Sequence, residues 1–240
     1  VFSTSATRRP RSSRGRAALP ERLLAAACGH GVAGAVDPGG VLRLSKLAGG
    51  GWTVVPGVGT AFAIADLDEL SAETIEHVKR LGAGIAVPSR LALAGERFVN
   101  LWGAERARHA PPLRQLLDAG AVIGAGSDGF QAGNYSPMVA LRWLVTGKSV
   151  AGTAIRDRSA NVSRQEALRM YTMGGAWFSA ETQRKGSIEV DKLADLVVLN
   201  ADYLTVPEEQ IRSLESLLTM VGGRVVHFAN PFGPIEVLRK

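Results

Sequence analysis

One carboxylate in this sequence stands where a proton-transfer group could be held in place. Asp128 ends the apolar run Ala121-Val122-Ile123-Gly124-Ala125-Gly126-Ser127, a short stretch between glycines that predicts a buried strand. The C-terminal end of a strand is where α/β folds open their binding crevice. An ordinary loop or cap carboxylate ahead of Gly129 is the alternative. The other residues able to do chemistry are sparse. Cys28 is the single cysteine, has no Cys or His at zinc-finger spacing, and reads as a small apolar residue in a reducing compartment. Of four histidines, His77 falls inside a predicted helix as a surface or packing residue, His109 stands solvated beside Pro111, and His227 ends a predicted strand. His30, in Cys28-Gly29-His30-Gly31, is the one placed in a loop before an apolar run. Asp66 and Asp68 offer oxygen donors to a hard cation such as Mg²⁺ or Ca²⁺, but two carboxylates without further ligands do not make a site.

The elements that would position Asp128 are legible from residue 61 onward. Ser71 caps a helix over 71–81, with Leu70 packed onto Ile75, and Gly84-Ile85-Ala86-Val87-Pro88 reads as a buried strand over 84–88. A helix over 111–119 carries Leu113, Leu116 and Leu117 and feeds the strand over 121–127. Helix alternating with strand through short links predicts parallel pairing. Ser136 and Pro137 open a helix over 136–146 that stops at Gly147. Ser163-Arg164-Gln165-Glu166 is a capping box for a helix over 163–173. Beyond it, Gly186–Ile188 and Ala194–Leu199 read as strands, residues 206–216 as a helix, and 217–221 with 224–227 as a strand pair. In this frame the loop after Asp128 lines a pocket mouth, where Tyr135 is a candidate substrate contact, although packing is the simpler role for Tyr135 and Trp143.

Charge divides the chain. Eight Lys and Arg in residues 1–60, five of them between Arg8 and Arg16, face only Glu21 and Asp37 there. That excess equals the whole formal net charge of +6. Arginines among Ser, Pro and Gly, with no aromatic residue interleaved after Phe2, read as a solvated leader rather than a nucleic-acid arm, so no nucleic-acid partner is expected. The stretch 29–60 is Gly-rich and follows neither helical nor strand periodicity for long. No apolar run reaches the roughly 18–20 residues of a membrane span, and no apolar core follows the N-terminal arginines as in a signal peptide. The expectation is a cytoplasmic protein with no membrane partner. At 240 residues, 46% of them hydrophobic, the chain can bury a sizeable core. It falls short of the roughly 250 residues of a complete (β/α)₈ barrel.

Two segments carry a resemblance. Lys185-Gly186-Ser187-Ile188-Glu189-Val190-Asp191-Lys192-Leu193-Ala194-Asp195-Leu196-Val197-Val198-Leu199 and, after it, Leu217-Leu218-Thr219-Met220-Val221-Gly222-Gly223-Arg224-Val225-Val226-His227 are similar to the C-terminal part of metal-dependent amidohydrolases of the amidohydrolase-3 (YtcJ-like) branch. The resemblance covers residues 61 to about 232. It implies an α/β fold: the later strands of a partial (β/α)₈ TIM-type barrel over 61–180 and C-terminal strands of a flanking β-sandwich over 181–240, behind a poorly patterned segment 1–60. It implies a C-terminal portion of a longer enzyme that hydrolyses non-peptide carbon–nitrogen bonds of small amide-type substrates with a divalent metal, zinc. Asp128 matches the family's metal ligand and general base on the last barrel strand. The family's His-x-His pair does not occur, and the segment in the sixth-strand place, Phe62-Ala63-Ile64-Ala65-Asp66-Leu67-Asp68, has no histidine. A catalytically silent relative therefore stands as the alternative. A barrel with only some of its strands leaves open edges, which predicts a homo-oligomer or a complementing N-terminal partner.

Overall fold

The computed structural model describes residues 70–80, 82–127 and 134–232, together with the backbone of four strands before them: β1 (Val32–Val36), β2 (Leu42–Lys46), β3 (Gly51–Pro56) and β4 (Phe62–Ala65). These strands join β5 (Ala83–Pro88) and β6 (Ile123–Gly126) in one six-stranded sheet whose spatial order follows the sequence. β1 through β4 pair antiparallel, Leu44 facing Trp52 and Val54 facing Ile64. From β4 onward the pairing is parallel, Ile64 beside Ile85 and Ile85 beside Ile123. The sequence predicts the parallel β5–β6 pair and leaves 29–60 unassigned. The overlooked signal is the alternation Leu42-Arg43-Leu44-Ser45, too short to stand out among glycines.

The helices that cover β5 and β6 begin as their residues dictate. In α1 (Ala72–Arg80) the Thr74 amide donates to Ser71 Oγ (3.1 Å) and the Ile75 amide to the Ser71 carbonyl. Ile75 and Val78 are buried, with Leu70 packed against them. α2 (Leu91–Trp102) and the single turn α3 (Ala104–Ala107) occupy a stretch to which the sequence pattern assigns no element. α4 (Leu113–Asp118) buries Leu113 and Leu116 in the core cluster that includes Ile85 and Ile123. α5 (Pro137–Thr146) has Ser136 as N-cap, Pro137 in its first turn and Gly147 as a left-handed stop, as predicted. Its Trp143 is 1% exposed.

The helix predicted over 163–173 keeps its capping box: Glu166 N donates to Ser163 Oγ, and Ser163 N to the Glu166 carboxylate. It runs as α6 (Arg164–Arg169), widens into a π-turn at Met170–Gly174, and resumes as α7 (Gly175–Phe178). Two glycines allow this segment to lie on β6. A Cβ at Gly174 would come within 2.3 Å of the Ile123 carbonyl oxygen, and one at Gly124 within 2.2 Å of the Phe178 ring.

The C-terminal region is a three-stranded antiparallel sheet of β7 (Leu196–Leu199), β8 (Ser216–Val221) and β9 (Arg224–Phe228). Two expectations fail here. Gly186–Ile188 is not a strand: Gly186 has φ of 99°, outside the extended region, and Ile188 is exposed. Residues 206–216 form no α-helix but a 3₁₀ helix at Glu208–Ser213, after which β8 begins. Its two buried anchors, Ile211 and Leu214, are three residues apart, the period of a 3₁₀ turn. Through Leu199, Tyr203, Ile211 and Leu214 this region joins the main core cluster. No described helix is long and apolar enough to cross a membrane.

Candidate active site

Parallel pairing carries β5 and β6 to a common end. Pro88 lies beside Gly126, and the next residues, Ser89 and Ser127, tie the ends together. The Ser89 amide donates to the Gly126 carbonyl at 3.0 Å and its buried hydroxyl to the Ser127 carbonyl at 3.3 Å. Across Ser127 stands Tyr171, in the π-turn. Its hydroxyl is buried without a hydrogen bond of ordinary geometry. Burial pushes it up to about 12, an effect that the neighbouring Ser127 side chain partly offsets. Asp128 is the next residue in sequence and lies outside the described residues, as do His30, Cys28, Asp66 and Asp68.

The chain is described again from Asn134, whose side-chain oxygen accepts from the Ser136 amide at 2.7 Å and shapes the turn into α5. Tyr135, within that turn, is 85% exposed, so it has no packing role. Sequence pattern alone overlooks Ser89 and Tyr171. The available signals were a hydroxyl directly after the 84–88 strand and a tyrosine at the end of the capped helix.

The described histidines do not converge. His77 donates from Nδ1 to the Glu73 carbonyl of its own helix at 3.0 Å. His109 is exposed between α3 and α4. His227, in β9, donates from Nε2 to the Ser216 carbonyl at 3.1 Å. Among the described residues no three His, Cys, Asp or Glu side chains come together as a metal-holding group. The described part of the chain therefore does not make a metal site, and no chemical step can be built on one there.

Away from the strand ends, charged groups brace the helices. Arg114 on α4 grips Glu166 on α6 with two hydrogen bonds of 3.0 and 2.8 Å, and with the Ser163 amide this holds the Glu166 carboxyl down at about 2. Buried Arg142 on α5 donates to Glu209 and to the Ser149 carbonyl.

Comparison with known proteins places this scaffold. The amidohydrolase family model matches residues 55–227. The chain is 36% identical over 150 residues to an N-substituted formamide deformylase of Arthrobacter pascens, covering 62% of this chain and 27% of that protein. It is 31% identical over 153 residues to an imidazolonepropionase of Micrococcus luteus, covering 61% and 36%. The chain thus spans about a third or less of these relatives. Among solved structures, an uncharacterized metal-dependent hydrolase of Pyrococcus horikoshii superposes with TM-score 0.52 at 22% identity, over 61% of this chain and 30% of that one. One from Pyrococcus furiosus superposes with TM-score 0.50 at 25% identity, over 60% and 29%. With the family match running through the parallel strands, the helices over them and the C-terminal sheet, the chain belongs to the amidohydrolase family.

Proposed function

We propose that this chain is a C-terminal portion of a cytoplasmic hydrolase that cleaves carbon–nitrogen bonds other than peptide bonds in a small amide, formamide or cyclic substrate. In this proposal β4, β5 and β6 are later strands of a partial (β/α)₈ barrel, and β7–β9 are the C-terminal strands of a flanking sandwich. The observation that supports it most is the parallel β5–β6 register, since it sets Ser127, which precedes Asp128 in sequence, at the C-terminal strand end where barrel enzymes react. Asp128 is the proposed general base. It takes a proton from the attacking water and returns it to the leaving nitrogen as the C–N bond breaks. A divalent metal, zinc, is the proposed cofactor, with Asp128 the only ligand assigned to this chain; such an ion acidifies its bound water to near-neutral pKa. Tyr135, exposed on the same connection, is proposed to contact substrate.

A second reading has its own support. No His-x-His occurs in the 240 residues, and the described histidines lie apart, on α1, between α3 and α4, and on β9, which favours a catalytically silent relative. The test is hydrolysis of N-substituted formamides and cyclic amides by the protein expressed from the full open reading frame containing this chain. The proposal expects Asp128→Ala to lower kcat by about 10²- to 10⁴-fold with Tm unchanged, and Tyr135→Ala to raise KM. An Asp128→Ala protein as active as wild type contradicts the assignment, and an inert wild type favours the silent relative.

A further inference from the structure

We infer that the cavity at the C-terminal end of α5 is a binding site for a small oxyanion, phosphate or carboxylate, distinct from the strand-end site. The cavity holds about 300 Å³, with Val145 and Val162 as its apolar lining and Asn161, Ser163, Arg158 and Arg164 as its polar one. It lies at the far end of a ten-residue helix from the Asn134–Ser136 turn, about 15 Å away at 1.5 Å per residue.

Uncompensated positive charge carries the inference. Arg156, 3% exposed, stands behind the cavity wall. It stacks on the Trp143 ring at 4.8 Å and donates to the Trp143 and Leu144 carbonyls that end α5, and to Asn161 Oδ1 at 2.8 Å. Its Nη1 has no partner, and burial alone brings its guanidinium down to about 9. Arg164 spends its two terminal nitrogens on the Tyr203 and Val206 carbonyls. Among the described residues neither arginine has a carboxylate partner, and a buried cation without a counter-charge is costly.

The one carboxylate lining the cavity, Glu208, is already 3.5 Å from Arg158, so two guanidiniums line the cavity, with Arg156 behind them, against one acid. A neutral donor completes the lining. Because Asn161 Oδ1 accepts from Arg156, its amide nitrogen is left to donate, whereas the Ser163 hydroxyl is engaged with Glu166. An oxyanion would find donors in the Asn161 amide and the lining guanidiniums and supply the absent counter-charge.

Calorimetric titration of the 240-residue protein with sodium phosphate and with sodium acetate, at constant ionic strength, tests this. Saturable one-site binding of at least one anion with Kd at or below about 10 mM is expected, and the preferred anion identifies the head group. Arg158→Glu, at an 86% exposed side chain, should weaken that binding about tenfold or more. Arg97→Glu, the same charge change at an exposed position on α2, should alter it less than about twofold. Asn161→Asp should supply the counter-charge from within, abolishing binding while raising Tm. Absence of saturable binding for both anions, equal losses in the two arginine variants, or an Asn161→Asp protein that binds like wild type would overturn the inference.

Discussion

Strands β5 and β9 both carry large apolar residues, yet one disappears into the molecule and the other stays at its surface. In β5, Ile85 is 0% and Val87 3% exposed, packed by α1, in one core cluster with Leu113 and Leu116 of α4, and flanked by parallel neighbours. In β9, Val226 is 61% and Phe228 44% exposed, and Val197 and Val221 on the adjoining strands are similarly open. β9 carries Arg224 and His227 where β5 has no charged residue, but Val226 and Phe228 suit a sheet in either place. Their exposure lies in what covers them. Helices before and after β5 contribute to the cluster that buries it, whereas among the described residues β7–β9 join that cluster through Leu199 and the residues between β7 and β8.

The comparison can be broken by paired truncations. Leu113→Ala, at a fully buried position in the core cluster that includes β5, should destabilise the protein by about 3–4 kcal/mol, read from the urea midpoint. Val226→Ala should change it by less than about 0.5 kcal/mol. Equal costs would mean that the β9 face is covered in solution.

The braces between helix layer and C-terminal region sharpen the same contrast. Arg142→Ala removes a buried cation that holds Glu209 of the 3₁₀ helix and the Ser149 carbonyl, and should cost about 3 kcal/mol. A loss no larger than that of an exposed arginine such as Arg97 would show that the contact does not join the two regions.

The smallest effect is a pH dependence confined to the helix layer. The Glu166 carboxyl, held by Arg114 at about 2 against an ordinary 4.5, contributes stability that is fully present above pH 4.5 and is lost as pH falls toward 2. Because a third of its side chain is exposed, solvent screening limits this to about 1 kcal/mol. Comparing wild type with Glu166→Gln at pH 6 and pH 3 should show the gap between them closing at the lower pH. A gap independent of pH would contradict the pairing.

How far the sequence foretells this molecule follows the same division. Caps and breakers act within a few residues, so Ser71, the Ser136-Pro137 start and the Ser163–Glu166 box mark their helices correctly. The parallel β5–β6 pair follows from helices alternating with strands. What local pattern cannot hold is a choice made by distant partners. The π-turn at Met170–Gly174 depends on two glycines, Gly124 and Gly174, meeting across 50 residues of sequence. The turns around Gly186 look strand-like until its positive φ is known. At the candidate site, Asp128 is visible because it ends an apolar run. Ser89 and Tyr171 are not, because only the folded chain brings them to Ser127.

The central proposal is that Asp128 belongs to a carbon–nitrogen hydrolase site whose remaining metal ligands this chain does not supply. Metal analysis of the purified 240-residue protein, with an assay on N-substituted formamides for wild type and Asp128→Ala, tests it most directly. Three protein ligands are needed for a catalytic zinc, so the account predicts zinc well below one equivalent and no difference between the two proteins above background. Stoichiometric zinc together with hydrolysis abolished by Asp128→Ala would contradict it.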